Sequence, residues 1–238
     1  MEANGQVPVR GGYSIHAVIG FDERPILHCL KEALGRGRVD KLVLYQAATG
    51  DPTGERRSQE ALDTLKSLLA PLGVNVEVHK LPPRNLPGNI VAMYELVDRD
   101  LSAPGGMRIL ACLASGMRPL VLALYTAILA QPEERHDLIE LCVEPEGRPE
   151  ERIVQRLSDI TRLTTVLSSG DHLQVAILRV LGSLGGATLS ELNRRLAEEG
   201  VQVNRSKLYR VLTRLVEKGV LEKDETSSVY RLKVSLKQ

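Results

Sequence analysis

The sequence predicts an α/β protein in two parts: a mostly parallel sheet clad by helices, then a small helical module closed by a hairpin. Three observations carry this. Short β-rich runs alternate with helical stretches over about 130 residues, the pattern of parallel strands joined by crossover helices. Leu42–Leu44 and Ile109–Leu113 are nearly continuous apolar runs, as strands covered on both faces are. Near the C-terminus, Leu208, Val211, Leu212, Leu215 and Val216 recur at i, i+3, i+4, i+7 and i+8, opposite a basic face.

Taken in order, Ser14 to Ile19 is a strand ending at Gly20. Pro25 suits a first helical turn, and Ile26, Leu27, Leu30 and Leu34 follow at helical spacing. Asp22 and Glu23 are expected to cap that helix, where acidic groups favour its dipole. Lys41 to Gln46 is a second strand, Gly50 to Gly54 a loop and Glu55 to Leu72 a second helix. Val74 to His79 is a third strand, Asn89 to Leu101 a third helix and Met107 to Leu113 a fourth strand. The helix Pro119 to Ala130 is apolar almost all round, so it is buried, either in the monomer core or against a second copy. We favour the second copy. Asp137 to Val143 is the fifth strand.

The first domain is set at residues 13–145, after a polar lead-in from Met1 to Gly12. Residues 146–169 read as a linker helix, with Ile153, Leu157, Ile160, Leu163 and Leu167 at three- and four-residue steps. Residues 170–238 form the second domain. Asp171 caps a helix carrying Leu173, Ile177, Leu178, Leu181 and Leu184. Thr188 and Glu191 make a capping box for a short helix through Leu192 and Leu196. Asn204 caps the two-faced helix, which runs to Lys218 and stops at Gly219. Val220 to Lys223 and Val229 to Lys233 flank a polar tip. This is the order of a winged helix-turn-helix.

Composition narrows the function classes. The chain has 238 residues, enough for two domains, and 43% hydrophobic content supplies cores for them. Only 3% is aromatic, with no Trp, which argues against stacking platforms for single-stranded nucleic acid. Residues 171–238 hold 12 basic against 8 acidic groups, net +4; the remainder holds 19 against 22, net −3. The basic end is therefore the one suited to a polyanion. Cys29, Cys112 and Cys142 are odd in number, scattered and set among apolar neighbours, which reads as buried free thiols in a reducing compartment. The five histidines lack metal-ligand spacing, so no metal is expected. With no signal-like start and no run long enough to span a bilayer, the expected location is the cytoplasm, without membrane contact.

Two loops are candidate ligand sites, because ligands of such sheets sit beyond the carboxyl ends of the strands. One is Gly20-Phe21-Asp22-Glu23 after the first strand; the other is Ser115-Gly116-Met117-Arg118-Pro119 after the fourth. In the second, Gly116 permits close approach, the helix start presents free N–H groups, and Arg118 and Ser115 add a guanidinium and a hydroxyl. No G-x-G-x-x-G follows a strand and no G-x-x-x-x-G-K-[ST] occurs, which argues against nicotinamide or triphosphate binding. There is no G-x-S-x-G and no H-E-x-x-H, and no catalytic residue is assigned. In the second domain Arg205, Ser206, Lys207, Tyr209 and Arg210 are placed near duplex DNA, with Arg214 and Arg231 on phosphate.

The chain resembles the archaeal CRISPR-associated transcription regulators that join a CRISPR-associated Rossmann-fold (CARF) sensor to a winged helix-turn-helix. Ser14-Ile-His-Ala-Val-Ile-Gly-Phe-Asp-Glu23 is similar to the family's strand and Thr-x-Gly-Phe-Asp-like loop, with Val18 two positions before Gly20. Leu113-Ala-Ser-Gly-Met-Arg-Pro-Leu120 is similar to its Gly-Gly-Thr-Arg-like loop, with Ser115 for the first Gly and Met117 for the Thr. The resemblance implies a homodimer whose paired loops, Gly20 to Asp22 and Ser115 to Arg118, line one cleft. It implies a cyclic oligoadenylate ligand, the cyclic tetra-adenylate first among them, and DNA targets at promoters of CRISPR-associated genes or at CRISPR arrays. Ligand binding would act on DNA affinity through the 153–167 helix. Three other readings stay open: slow cleavage of the cyclic ligand involving Ser115 and Arg118, a metabolite-sensing repressor of another family, and a winged helix used for protein assembly.

Overall fold

The computed structural model describes residues 11–145, 148 and 151–233. Most of the expected lead-in, part of the expected joint, and residues 234–238 lie outside the described residues. The chain folds as two compact units that divide between Leu157 and Ser158.

The first unit alternates strands and helices: β1 (Tyr13–Ile19), α1 (Arg24–Leu34), β2 (Val39–Ala47), α2 (Pro52–Leu69), β3 (Asn75–Leu81), α3 (Leu86–Leu101), β4 (Arg108–Cys112), α4 (Arg118–Leu129), β5 (Ile139–Val143) and β6 (Ile153–Arg156). The strands form one sheet in the order β3-β2-β1-β4-β5-β6. The first five are parallel and β6 runs antiparallel to β5. Strand side chains alternate between faces. Ile15, Ala17, Ile19, Leu42 and Leu44 meet Ile26, Cys29 and Leu30 of α1 and Leu62 and Leu65 of α2. Helices α3 and α4 pack against each other and against the sheet, where Val18, Val43, Tyr45, Ile109 and Ala111 are also fully buried.

Three expectations are corrected. Ile153 does not start a helix: residues 153–156 extend the sheet, pairing Val143 with Ile153 and Leu141 with Gln155, and the helix α5 begins at Leu157 (Leu157–Ser168). The open backbone groups along β5 outweigh the helical spacing, because buried peptide groups must be paired. Cys29 and Cys112 are not free thiols but a disulfide joining α1 to the end of β4, with Cys142 Sγ 3.1 Å from Cys29 Sγ. The folding of β1, α1, β4 and β5 around one point brings together cysteines far apart in sequence. At the start of α1 neither carboxylate caps the helix in the usual way: Asp22 accepts hydrogen bonds from the Arg24 backbone and guanidinium, and Glu23 makes no side-chain cap.

The second unit contains α5, α6 (His172–Leu184), β7 (Ala187–Thr188), α7 (Leu189–Glu198), α8 (Arg205–Glu217), β8 (Leu221–Asp224) and β9 (Val229–Leu232). Asp171, Thr188 and Asn204 each accept backbone N–H groups at the helix starts that follow them. Leu192 and Leu196 of α7 and Leu208, Leu212 and Leu215 of α8 share one core with Ile177, Leu181, Leu221 and Tyr230. Val166 of α5 joins that core and Leu163 packs on it, so α5 is built into this unit. The two-residue β7, which the sequence pattern does not show, pairs with β9 to make a three-stranded sheet. Among the described residues no helix is long and apolar enough to cross a membrane.

Candidate functional site

The sheet order reverses between β1 and β4. From β1 the chain proceeds outward through β2 and β3; from β4 it proceeds the other way through β5. The helices that follow β1 and β4 therefore leave to opposite faces, and a crevice opens beyond the carboxyl ends of those strands. Both loops singled out from sequence flank it.

The loops touch through their glycines. A Cβ on Gly20 would lie 3.2 Å from both Gly116 Cα and Ser115 Oγ. Gly116 has φ +94°, and a Cβ there would sit 2.3 Å from Val18 Cγ1 and 2.7 Å from the Val18 carbonyl oxygen. Both the backbone conformation and the space exclude a side chain. Ser115 Oγ donates to the Asp22 carbonyl at 3.4 Å. Cys29 and Cys112 staple the elements that carry the loops, just below them in the chain.

A cavity of about 340 Å³ opens at this point, lined by Ile19, Gly20, Phe21, Asp22, Ser115, Gly116 and Met117. Its third wall is Ala47, Thr49, Asp51, Gly54 and Ser58, from the end of β2 and the start of α2. Sequence reasoning missed this wall, because Gly50 to Gly54 carries no motif. Only the position of β2 beside β1 brings it to the crevice. Six of the seven proposed ligand residues line the cavity. The seventh, Arg118, is the exposed first residue of α4 and is not among the lining residues. Asp51 caps α2 by accepting from Thr53 and Gly54 N–H. The Arg24 hydrogen bonds hold the Asp22 carboxyl below the usual range, so Asp22 is ionised. Phe21 is 55% exposed, with the Arg57 guanidinium 4.6 Å from its ring centre.

The second candidate surface lies on α8. Arg205, Ser206, Lys207, Tyr209, Arg210 and Arg214 are all exposed along it, and Arg231 is exposed on β9. Arg205, Ser206, Tyr209 and Arg210 line an open hollow together with Leu189. None of the five cations Arg205, Lys207, Arg210, Arg214 and Arg231 has a carboxylate at ion-pair distance among the described residues. Elsewhere in this unit Arg194 and Arg195 pair with Glu198, Arg179 with Glu199, and Lys223 with Glu225.

A buried polar cluster near the amino ends of the strands was not anticipated. Ser14 Oγ donates to Asp100 Oδ2 at 2.6 Å, and Lys41 Nζ donates to Asp100 Oδ1 at 2.8 Å and meets Glu77 at 3.0 Å. His16 bridges Asp100 at 3.1 Å and Tyr45 Oη at 2.8 Å. Burial pushes the His16 pKa down, against the pull of Asp100. A neutral ring then donates from Nε2 to Asp100 and accepts from Tyr45 at Nδ1. Burial alone would raise the Asp100 pKa; hydrogen bonds from His16, Lys41 and Ser14 outweigh it and hold the carboxyl well below its usual value. Among the described residues no group of three or more His, Cys, Asp or Glu is arranged to hold a metal ion.

No protein-family model matches the chain, and no curated protein matches it. Solved structures similar in shape to this chain include the following two. One is Can2 from Sulfobacillus thermosulfidooxidans in complex with cyclic tetra-adenylate, at TM-score 0.42 and 6% identity, covering 92% of this chain and 59% of that one. The other is Csm6 from Enterococcus italicus bound to cyclic hexa-2′-fluoro-hexa-dAMP, at TM-score 0.46 and 11% identity, covering 87% and 55%. The chain thus spans less than two thirds of the length of either.

Proposed function

We propose that this chain is a ligand-responsive transcription regulator: the first unit binds a cyclic oligoadenylate, the tetra-adenylate foremost, and the second binds duplex DNA as a winged helix-turn-helix. The observation that carries the DNA half is the row of unneutralised cations on α8. Arg179, Arg194, Arg195 and Lys223 of the same unit pair with glutamates, whereas Arg205, Lys207, Arg210 and Arg214 on α8 and Arg231 on β9 have no carboxylate at ion-pair distance among the described residues, which is the state expected of side chains awaiting phosphate. The sensor half is supported by the crevice at the strand-order reversal, by the glycine-to-glycine approach of its loops, and by the resemblance of those loops to CARF sensors. Gly116 brings the backbone close, and the start of α4 with Arg118 offers donors and charge to a phosphate.

The working form is a homodimer across α4. Leu122 and Leu129 of that helix are 52% and 36% exposed, and Val91 of α3 is 56% exposed, an apolar surface suited to a second copy. Two copies bring two sets of loops to one axis, which matches a cyclic ligand with two-fold symmetry. The protein acts by binding and leaves the ligand intact.

Calorimetric titration of the full chain with cyclic tetra-adenylate, beside Arg118→Ala, tests the sensor half. One ligand per dimer, weakened in the variant, is expected. A folded dimer by sedimentation that binds no cyclic oligoadenylate overturns it, and linear products after incubation overturn the non-enzymatic reading. For the DNA half, binding that is insensitive to salt would sink the proposal.

A further inference from the structure

We propose that Cys29, Cys112 and Cys142 form an internal thiol–disulfide exchange centre, in which Cys29 bonds either to Cys112 or to Cys142 and the choice holds or releases the loop that follows β4. This goes beyond the reading above and stands whatever the crevice binds.

The sheet register builds the centre. Cys112 ends β4 and is the direct partner of Cys142 on the parallel strand β5. Paired residues on neighbouring strands point to the same face, and both cysteines share one core with Cys29 of α1. Cys29 therefore lies over two cysteines set side by side. It is bonded to Cys112, and Cys142 Sγ stands 3.1 Å from Cys29 Sγ. All three are buried, so the thiol that reaches this disulfide in the folded protein is the chain's own.

The exchange balances without an added oxidant or reductant. Cys142 gives up its proton and its sulfur attacks Cys29 Sγ. The Cys29–Cys142 bond forms as the Cys29–Cys112 bond breaks. The electron pair leaves on Cys112 Sγ, which takes up a proton. The Pro25 carbonyl oxygen lies 3.7 Å from Cys112 Sγ and is an acceptor for that new thiol. Burial pushes the Cys142 thiol up to about 12, which keeps the thiolate scarce and the exchange slow near neutral pH. Each pairing therefore persists long enough to be isolated.

The two pairings differ in what they restrain. With Cys29 on Cys112, α1 is tied to the strand that leads into Ser115–Arg118, and both crevice loops hang from one covalent link. With Cys29 on Cys142, α1 is tied to β5 instead. The loop after β4 then keeps its noncovalent contacts alone, among them the Ser115 hydrogen bond to the Asp22 carbonyl.

The test uses the full chain with Cys112→Ala and Cys142→Ala, refolded in mixed reduced and oxidised glutathione, with thermal melting to confirm the fold. Acid quench, alkylation and peptide mapping then read the pairing. Cys142→Ala is expected to show a Cys29–Cys112 bond and Cys112→Ala a Cys29–Cys142 bond. Free Cys29 and Cys142 in folded Cys112→Ala overturn the proposal. In the unsubstituted protein the free thiol starts at Cys142 and is expected to move in part to Cys112 as the folded chain is held. A free thiol that stays at Cys142 alone overturns the exchange. Amide hydrogen exchange of Leu113–Arg118 reads the consequence for the loop. Reduction should speed it about tenfold in Cys142→Ala and leave it unchanged in Cys112→Ala. Equal effects of reduction in the two variants would overturn the control of the loop by the pairing.

Discussion

At the scale of single residues, Gly116 is the position with least freedom. Its φ of +94° and the 2.3 Å approach to Val18 leave no room for a methyl group. Gly116→Ala is expected to cost about 1–3 kcal/mol of first-unit stability, since both strain and clash must be relieved by moving the loop. Ligand affinity should fall with it; urea unfolding and titration of the same preparation measure the two. His16 sets a second expectation. Its folded pKa lies below the unfolded value of about 6.5, so below that pH the unfolded chain binds a proton that the buried ring refuses. Its contribution is thus full above about pH 6.5 and is lost as pH falls. Asp100, also depressed, adds its own loss from about pH 4 downward. His16→Gln should flatten the stability curve between about pH 6 and pH 5 by up to about 1.4 kcal/mol per pH unit. Equal slopes for the two proteins, in urea titrations at each pH, would remove His16 from the account.

At the scale of elements, α8 divides its labour by face. Leu208, Leu212 and Leu215 are buried in the core, and the same periodicity turns Arg205, Lys207, Arg210 and Arg214 outward. The face that fixes the helix and the face proposed to touch DNA are therefore separable by mutation. Arg210→Ala should leave the melting temperature of the second unit within error, while lowering the slope of log affinity against log salt by about 0.9 if it loses one phosphate contact. An unchanged slope would place Arg210 away from the DNA backbone. The disulfide acts at this scale too. It joins Cys29 of α1 to Cys112 at the end of β4, closing a loop over a sequence separation of 83. Denatured without reductant, the chain should show one free thiol, Cys142, and three after reduction. Counting them by alkylation and mass spectrometry checks this. Burial raises the Cys142 thiol to about 12, so it should resist alkylation in the folded protein. Reduction should destabilise the first unit by about 4.5 kcal/mol on the loop-entropy argument.

At the scale of the whole molecule, a sensor and a DNA-binding unit make a regulator only if one affects the other. That coupling is a free energy and is reciprocal. DNA affinity measured with and without saturating cyclic tetra-adenylate should differ, and the affinity for the ligand should shift by the same factor when DNA is present. Identical DNA affinities in the two conditions would leave two binding units with no regulatory link.

Much of this was legible in the chain. The alternation of strands and helices, the caps at Asp171, Thr188 and Asn204, the two faces of α8 and both crevice loops follow from periodicity, side-chain hydrogen-bonding habits and the placement of glycine. These are local properties, acting over a few residues, and a sequence states them directly. Tertiary structure alone decided the rest. It turned residues 153–156 into an edge strand, because β5 offered unpaired backbone groups that no helical spacing could foresee. It bonded Cys29 to Cys112, gathered Ser14, His16, Lys41, Tyr45 and Asp100 around one buried charge, and added the β2–α2 wall to the cavity. Each of these joins residues distant in sequence, and their meeting depends on strand order, which is set by the packing of the whole sheet rather than by any segment of it.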